Sequence, residues 1–473
     1  MKDKVSIHWF RQDLRLNDNP SLNYLSNKSS KVVCVYIYDN INCDRELGSA
    51  SKIWLHHSLN SLNSDLNRKL IILKGDPLEE IDKLRNFFDI QEITWNRCYE
   101  PWSIKRDGKI KEHFKDIFSV KSFNGLLLWE PWNILKDDGT PYKVFTPYYK
   151  RGCLANTSPA KPQTYVPNFS NHNFKDKGLD SLGLLSGKIW EKKIHANWEI
   201  SELSGLNLMK SFFSSKLNNY AEGRNFPSKK NVSRLSPYIH WGQLSVNTLW
   251  NEAEKLESKG NDINLEIFKS ELAWREFAYY LLYHCPKLSK ENLQTKFDKF
   301  PWKKNTDFFN SWIKGKTGYP IIDAGMRELY QTGYMHNRVR MIVGSFLVKN
   351  LLIDWRDGEN WFWDCLFDAS PASNPASWQW VSGTGTDSAP YFRIFNPITQ
   401  GKKFDPEGEY IKKFVPELKN LPDKYIFSPW ETPGEIQKKV NVLLGKDYPA
   451  PLVDIKESRE RALLAFTSIK QTN

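Results

Sequence analysis

The sequence predicts an α/β domain at the N-terminal end, an all-helical domain at the C-terminal end and a long connector between them. In the N-terminal part, short apolar runs alternate with helical segments, which is typical of a parallel sheet. From residue 200 onward, apolar residues recur at three- and four-residue spacing, which indicates helices. A chain of 473 residues is also too long for one compact domain.

The α/β domain is predicted over residues 1–128, with a Rossmann-like parallel sheet. Buried strands are expected at residues 4–10, 32–38, 70–73 and 92–95, and helices at 50–69 and 77–89. No GxGxxG sequence follows the first strand, so a standard dinucleotide site is not predicted there.

The connector is predicted over residues 129–199 and the helical domain over 200–473. The connector is rich in aromatic residues, Pro and Gly at first and then in Ser, Asn, Lys and Pro. Because its aromatic side chains need burial, we expect it to wrap the surface. In the helical domain, the helical spacing is clearest at residues 266–284, 321–334 and 335–353.

The composition favours a polyanionic partner and aromatic stacking. The net charge of +12 suits such a partner, although a solvated Lys-rich surface is the commoner cause. The 19 tryptophans suggest stacking surfaces or a buried aromatic cofactor. The six cysteines lack metal-ligand spacing, so no metal is expected. Unpaired thiols and the lack of a long apolar run lead us to expect a soluble, cytoplasmic protein that does not bind a membrane.

Two segments combine polar groups with a helix. Ser233 and Arg234 precede a helix start at Ser236, which suits a phosphate, although most such starts are ordinary caps. Further along, Glu271 and Trp274 share one face of a helix, which is usually just an amphipathic edge. A second such face, in residues 334–347, is formed by Asn337, Arg340, Met341 and Gly344.

The segment 368–397 holds an acid at Asp368, then Asn374, Trp378 and Trp380, followed by small residues at 382–386. Small residues let the backbone lie close to something flat or anionic. The alternative is a loop-rich core segment with two buried indoles.

Together these segments resemble the DNA photolyase and cryptochrome family, most closely the bacterial class I cyclobutane pyrimidine dimer (CPD) photolyases. The resemblance runs from Trp9 to Phe466 and includes RQDLRLNDNPSL at residues 11–22. It implies a deoxyribodipyrimidine photo-lyase, a carbon–carbon lyase that repairs UV-damaged DNA in the nucleoid and works as a monomer. In that family, photoexcited reduced FAD passes an electron to a flipped-out dimer. A second, antenna chromophore is also implied, with folate and deazaflavin both open.

The resemblance also implies roles for individual residues. It places FAD against Tyr220, Val232, Ser233, Arg234, Leu235, Ser236, Arg340, Asp368, Ala369, Ser370 and Asn374. It places the damaged DNA against Arg224, Glu271, Trp274, Asn337, Arg338, Trp380 and Gln400. The catalytic residues would be Glu271, Asn374 and Met341, and an electron relay to the flavin would use Trp302, Trp355 and Trp378. Asn96 and Glu100 would lie by the antenna, although both could equally be loop caps.

Several alternatives stay open at this point. Arg340 and Asp368 could be a plain buried ion pair, and each relay tryptophan could be core. Ser370 replaces an acid that is common in the family, and Tyr334 replaces a tryptophan. A (6-4) photolyase would have histidines at the positions of Asn337 and Met341, and a cryptochrome would signal without repair.

Overall fold

The structure is a computed structural model that describes residues 2–28, 30–257 and 262–469. The chain divides into two compact units. The first consists of Met1–Asn218 and Ser233–Pro286, and the second of Asn219–Val232 and Lys287–Asn473. The predicted domain boundaries at residues 128 and 199 stay a prediction.

The first unit is built on a parallel sheet of five strands in the order β3–β2–β1–β4–β5. The strands are β1 (Lys4–Phe10), β2 (Lys31–Tyr38), β3 (Ile71–Lys74), β4 (Asp89–Asn96) and β5 (Ser119–Phe123). β1 and β2 are buried along almost their whole length because helices cover both faces of a parallel sheet. The sequence did not predict β5, because its residues SVKSF are largely polar and lie at an edge.

Helices of the first unit separate and follow the strands. They are α1 (Pro20–Ser26), α2 (Ser49–Asp65), α3 (Pro77–Phe87), α4 (Pro101–Phe114), α5 (Phe145–Pro147), α6 (Ile189–His195), α7 (Glu202–Ser211), and, after α8 (Tyr220–Gly223) of the second unit, α9 (Ser236–His240), α10 (Val246–Glu257) and α11 (Asp262–His284). Local sequence explains several starts: Asp76 caps α3, whose first residue is Pro77. The predicted connector contains only short helical pieces among irregular chain.

The second unit is helical. Besides α8, it contains α12 (Thr306–Ile313), α13 (Pro320–Thr332), α14 (Asn337–Ser345), α15 (Trp355–Cys365), α16 (Ser373–Ser382), α17 (Pro397–Phe404), α18 (Glu409–Phe414), α19 (Gly434–Val440) and α20 (Ile455–Ser468). Its core includes Ile342, Val343, Phe346 and Leu347, which the helical spacing assigned to the interior. The predicted fold class, an α/β domain plus a helical domain, is confirmed.

Two helices of the second unit differ from the sequence prediction. The predicted helix at 335–353 is α14 followed by a π-helical turn, Phe346–Asn350. α16 lies in a segment that reads as loop, because it holds Pro375 in its first turn and lacks apolar periodicity. Its end is set by Gly383, whose φ of 86° is a left-handed conformation that suits glycine. No helix within the described ranges is long and apolar enough to cross a membrane.

Candidate active site

The carboxyl ends of β1 and β4 carry a buried polar network in the first unit. The amide nitrogen of Asn96 donates to Asp13 at 2.6 Å and to Asn19 at 2.7 Å, and Arg11 bonds Asp107 at 2.6 Å. Burial works against an ionised carboxylate, but hydrogen bonds from His8, Arg11 and Asn96 outweigh it and lower the pKa of Asp13 to about 2. This is the point where the strand order reverses, which is where open α/β sheets bind ligands.

The two predicted antenna residues both lie at the carboxyl end of β4: Asn96 is its last residue, and Glu100 precedes α4. The amide nitrogen of Asn96 already donates hydrogen bonds to Asp13 and Asn19. One oxygen of the buried Glu100 accepts from Gln12 at 2.7 Å, and the other has no partner among the described residues. An acceptor therefore remains available on Glu100, and the antenna assignment of both residues stays a prediction.

The predicted diphosphate segment contributes Ser233, Arg234, Leu235 and Ser236 to the first unit. Arg234 has a φ of 55°, a left-handed conformation that is unusual outside glycine. The backbone N–H of Leu235 donates to the hydroxyl of Ser233 at 3.4 Å. Ser236 is exposed at the start of the short helix α9, while Leu235 is buried. Hydroxyls, N–H groups and a cation therefore lie within four consecutive residues, a donor set that suits phosphate oxygens.

Helix α11 presents Glu271 and Trp274, both half-buried. The indole of Trp274 stacks on Phe145, with ring centroids 3.8 Å apart and planes 10° from parallel. Phe145 thus covers one face of the indole and fixes its plane. Such a braced ring is suited to stack on another flat group. Trp380 belongs to the second unit, where it is half-buried, and the predicted pairing of the two indoles around a dimer stays a prediction.

Sequence reasoning missed Glu276, which follows Trp274 by two residues on α11. Its carboxylate accepts from the backbone N–H groups of Leu128 and Trp129 at 2.7 and 3.4 Å, and bonds Arg275 at 2.8 Å. Burial raises the pKa of Glu276 to about 7 in spite of Arg275. Glu276 therefore fastens the start of the predicted connector to the helix that carries Trp274.

In the second unit, Arg340 and Asp368 form a two-bond ion pair. The guanidinium donates to the two carboxylate oxygens at 3.1 and 2.9 Å, and its Nε donates to the carbonyl of Met335 at 2.8 Å. Burial opposes the charge, but Asp368 raises the pKa of Arg340. The pair joins α14 to the chain before α16. Its predicted place beside the flavin stays a prediction.

The start of α16 carries three predicted flavin residues, all buried: Ala369, Ser370 and Asn374. The hydroxyl of Ser370 accepts from the N–H groups of Ala372 and Ser373 at 3.2 and 2.9 Å. The serine that replaces the family's acid thus satisfies two backbone N–H groups at the start of α16. The amide nitrogen of Asn374 donates to the carbonyl and the carboxylate of Glu359 at 3.0 and 2.7 Å. Nothing in the sequence pattern pointed to Glu359.

Six cationic residues, here called the cationic cluster, lie at the end of α8 or after it, on α14 and on α17: Arg224, Lys229, Lys230, Arg338, Lys402 and Lys403. Arg338 bonds Asn225, and its guanidinium lies 4.5 Å from the ring centroid of Phe404. Lys403 lies 5.3 Å from the same ring, and Arg224 lies 5.5 Å from the ring of the buried Tyr220. The other predicted residues of this region are Val232, Met341 and Gln400, which are half-buried, and Asn337, which is exposed.

The predicted relay tryptophans occupy different environments in the second unit. Trp378 is buried against α15, where a side chain at Gly358 would collide with its ring. Trp355 is fully buried, and its indole N–H donates to Asn292 at 2.9 Å. Trp302 is half-buried and packs on Phe300 at 4.3 Å. Trp378 and Trp355 are thus interior residues, and Trp302 is partly exposed. The relay role itself stays a prediction.

The sequence did not single out Trp312, which contacts Trp378. Their ring centroids are 6.2 Å apart, and the indole N–H of Trp312 donates to the carbonyl of Val343 at 3.1 Å. Among the described residues, no group of three or more His, Cys, Asp or Glu could hold a metal ion.

Comparison with known proteins identifies the chain as a flavoprotein with these two parts. A family model described as DNA photolyase matches residues 6–167, and one described as the FAD binding domain of DNA photolyase matches residues 268–468. A deoxyribodipyrimidine photo-lyase of Agrobacterium fabrum is 42% identical, over 100% of this chain and 99% of its own. Cryptochrome-2 of Arabidopsis thaliana is 34% identical, over 99% of this chain and 80% of its own.

Solved structures agree with the sequence matches. A class III photolyase from Agrobacterium tumefaciens has a TM-score of 0.94 and 42% identity, covering 100% of this chain and 98% of its own. An archaeal photolyase from Sulfolobus tokodaii, described with two FAD molecules and a novel light-harvesting cofactor, has a TM-score of 0.81 and 30% identity, covering 98% of this chain and 100% of its own.

The chain belongs to the DNA photolyase and cryptochrome family. The predicted enzyme class, photo-lyase, and the predicted cofactor, FAD, are confirmed. The predicted resemblance to class I is corrected, because the structure at 42% identity is a class III photolyase. The class I prediction rested on the quoted motifs, whereas the class III match covers the full chain. The antenna chromophore remains undecided.

The residues of each unit fit FAD by their chemistry. Ser233 and Arg234 offer a hydroxyl and a cation for phosphate oxygens. In the other unit, the fixed amide of Asn374 leaves its side-chain oxygen outside the bonds to Glu359, so it is available as an acceptor. The ion pair of Arg340 and Asp368 offers further polar groups to a heterocycle.

Proposed function

We propose that this chain repairs cyclobutane pyrimidine dimers in DNA in a light-dependent reaction. The observation that carries the proposal is the full-length similarity to proteins named deoxyribodipyrimidine photo-lyase. The braced indole of Trp274, with Glu271 on the same helix, supports it, because a flipped-out dimer needs a stacking surface and a hydrogen-bond partner. When bound, reduced FAD supplies the photoexcited electron that splits the cyclobutane ring.

The residues of the chain bind and orient the reactants in this proposal. Trp274 and Trp380 contact the dimer, and the carboxyl of Glu271 bonds a base carbonyl. Asn374 faces the flavin ring, with its amide fixed by Glu359. Met341 lies one residue after Arg340 on α14 and is proposed to face the reacting groups. Ser233 and Arg234 hold the diphosphate.

The proposed partner is UV-damaged DNA, bound by a monomer in the bacterial cytoplasm. Phosphates would meet the cationic cluster formed by Arg224, Lys229, Lys230, Arg338, Lys402 and Lys403. The four lysines are exposed and the two arginines half-buried. This arrangement supports a sequence-independent contact with the DNA backbone.

A cryptochrome-like signalling function is the second candidate, because the chain is also 34% identical to a plant cryptochrome. Against it, Asn374 is the residue that the family's photolyases have at the flavin. A (6-4) photolyase is disfavoured because Asn337 and Met341 stand where that group has histidines.

One experiment separates the three functions. Purified protein with reduced FAD is mixed with oligonucleotides that carry one CPD or one (6-4) photoproduct, in blue light and in darkness. We expect loss of the CPD in light only. Repair of the (6-4) product would support that photolyase instead. Repair of neither, in a protein whose flavin responds to light, would support signalling.

A further inference from the structure

We propose that Trp198, in the predicted connector, is a positioning residue that holds Arg234 in place for the diphosphate of FAD. The inference rests on the proposed function only in that it takes Arg234 as the diphosphate ligand. It gives the connector a part in cofactor retention, which neither the sequence motifs nor the family comparison assigns to it.

The guanidinium of Arg234 lies over the indole of Trp198 in the first unit. The central carbon of the guanidinium lies 4.2 Å from the ring centroid. At the same time, Arg234 has a backbone φ of 55°, a conformation that L-residues rarely adopt. A strained residue keeps such a conformation only where its surroundings fix it. The cation–π contact with Trp198 is one interaction that fixes the side chain of Arg234.

Trp198 is itself held rigidly. Its ring meets Trp54 edge-on at 5.3 Å and lies 6.3 Å from the ring of Tyr238. Trp54 in turn donates its indole N–H to Gln243 at 2.8 Å. The backbone N–H of Trp198 donates to the carbonyl of His195, the last residue of α6, at 2.9 Å. The indole is therefore a fixed platform within the first unit.

The chemistry of the contact suits a phosphate ligand. A guanidinium that lies over an aromatic ring can still donate from its N–H edge, and the geometry of that edge matches two phosphate oxygens. Among aromatic side chains, tryptophan attracts a cation most strongly. Trp198 would thus limit the rotamers of Arg234 before the cofactor arrives, and lower the ordering cost of binding.

The test is a double-mutant cycle on the full-length chain, read out as the dissociation constant of FAD. Trp198→Leu removes the aromatic face, and we expect FAD binding to weaken about 2- to 30-fold. Trp198→Phe keeps a ring and should weaken it less. In an Arg234→Ala background, Trp198→Leu should cause no further loss, because its effect passes through the guanidinium. Thermal unfolding of the flavin-free proteins reports packing separately.

A matched control is Trp129→Phe in the same unit. Trp129 is also buried and also meets a second indole edge-on, Trp250, at 5.3 Å. We expect this variant to bind FAD as the parent does. If Trp198→Leu does not fold, the cycle is run with Trp198→Phe, for which the same absence of further loss is expected.

The possible failures can be told apart. If Arg234→Ala binds FAD as the parent does, Arg234 is not the diphosphate ligand, and the inference falls with that assignment. If Arg234→Ala weakens binding but the Trp198 effect is absent or simply adds to it, Arg234 stands and the positioning role of Trp198 is wrong. Neither result decides whether the chain repairs CPDs, because the repair assay tests the proposed reaction separately.

Discussion

Asn374 and Glu359 are tied by two hydrogen bonds from a single amide group. The side-chain nitrogen of Asn374 reaches the backbone carbonyl of Glu359 at 3.0 Å and its carboxylate at 2.7 Å. Both residues are buried, one on α16 and the other on α15. Because both acceptors take the same NH₂ group, the amide cannot exchange its nitrogen and oxygen without losing both bonds. Glu359 therefore fixes the orientation of the Asn374 amide, so that its oxygen and not its nitrogen is available to other groups.

Removal of the Glu359 carboxylate should destabilise the second unit and leave the Asn374 amide held by the backbone carbonyl of residue 359 alone. We expect Glu359→Ala to lower the free energy of unfolding by about 1–3 kcal/mol, because it deletes a buried acceptor. Glu359→Gln keeps an acceptor oxygen and should lose less. Chemical denaturation of both variants measures the difference, and equal losses would mean that the hydrogen bond is not the cause.

Loss of the braced indole should weaken binding of damaged DNA. Trp274→Ala is expected to cost about 1–3 kcal/mol of affinity for CPD-containing DNA, because it removes a base-stacking surface. Its FAD content should not change. Binding is measured by fluorescence anisotropy, with Trp250→Phe, a buried indole outside this stack, as the control. Parental affinity in Trp274→Ala would exclude the proposed dimer contact.

The salt dependence of DNA binding should follow the cationic cluster. Replacing both Lys402 and Lys403 by alanine should lower the slope of log affinity against log salt by about 1–2, through fewer released counterions. The matched control is the exposed pair Lys438 and Lys439, also in the last turn of a short helix. An identical slope in both double variants would show that the DNA lies elsewhere.

Photoreduction and repair should separate in a Trp302 variant. Trp302→Phe is expected to slow light-driven reduction of oxidised FAD strongly, because phenylalanine is much harder to oxidise. Repair by chemically reduced enzyme should survive, since the flavin then already holds its electron. Transient absorption measures the first and CPD loss the second. Normal photoreduction would point to another route, for which Trp312 is the first candidate because it contacts Trp378.

His336 should make the stability of the second unit depend on acid pH. Burial, and then the charges of Arg338, Arg224 and Arg340, lower its pKa from 6.5 to about 3. Above pH 6.5 neither the folded nor the unfolded chain protonates this ring, so it contributes no pH dependence. Between pH 6.5 and 3 only the unfolded chain takes up the proton, so stability falls as pH falls, by about 1.4 kcal/mol per pH unit.

A substitution isolates this contribution from the other titrating groups. The Nδ1 atom of His336 accepts from the N–H of Arg338 at 3.2 Å and so caps α14. His336→Asn keeps a capping acceptor but does not titrate. Denaturation between pH 3 and 7 should therefore show a shallower acid loss in the variant than in the parent. Parallel curves would mean that His336 is protonated in the folded state as well.

The sequence was sufficient for features that repeat along the chain and insufficient for contacts between distant residues. Alternation of apolar runs predicted four of the strands, whereas the polar edge strand β5 carried no such signal. The pair of Arg340 and Asp368 was expected only through the family resemblance. The stack of Phe145 on Trp274 joins two residues that are 129 positions apart in the chain. No periodic pattern in the sequence could have predicted this contact.

The hydrogen bonds from Leu128 and Trp129 to Glu276 limit which parts of the chain can fold when expressed separately. Leu128 and Trp129 end the predicted α/β domain and begin the connector, yet their buried N–H groups are satisfied by a carboxylate far along the chain. A polypeptide that stops at residue 199 would leave these donors without Glu276, and Arg15, in the segment after β1, would lose the carbonyl of Gly242, to which it donates at 2.9 Å. During synthesis, the N-terminal sheet would therefore wait for α11 to emerge before this packing is complete. Expression of the N-terminal α/β part alone should need residues 233–286 supplied in trans or by fusion.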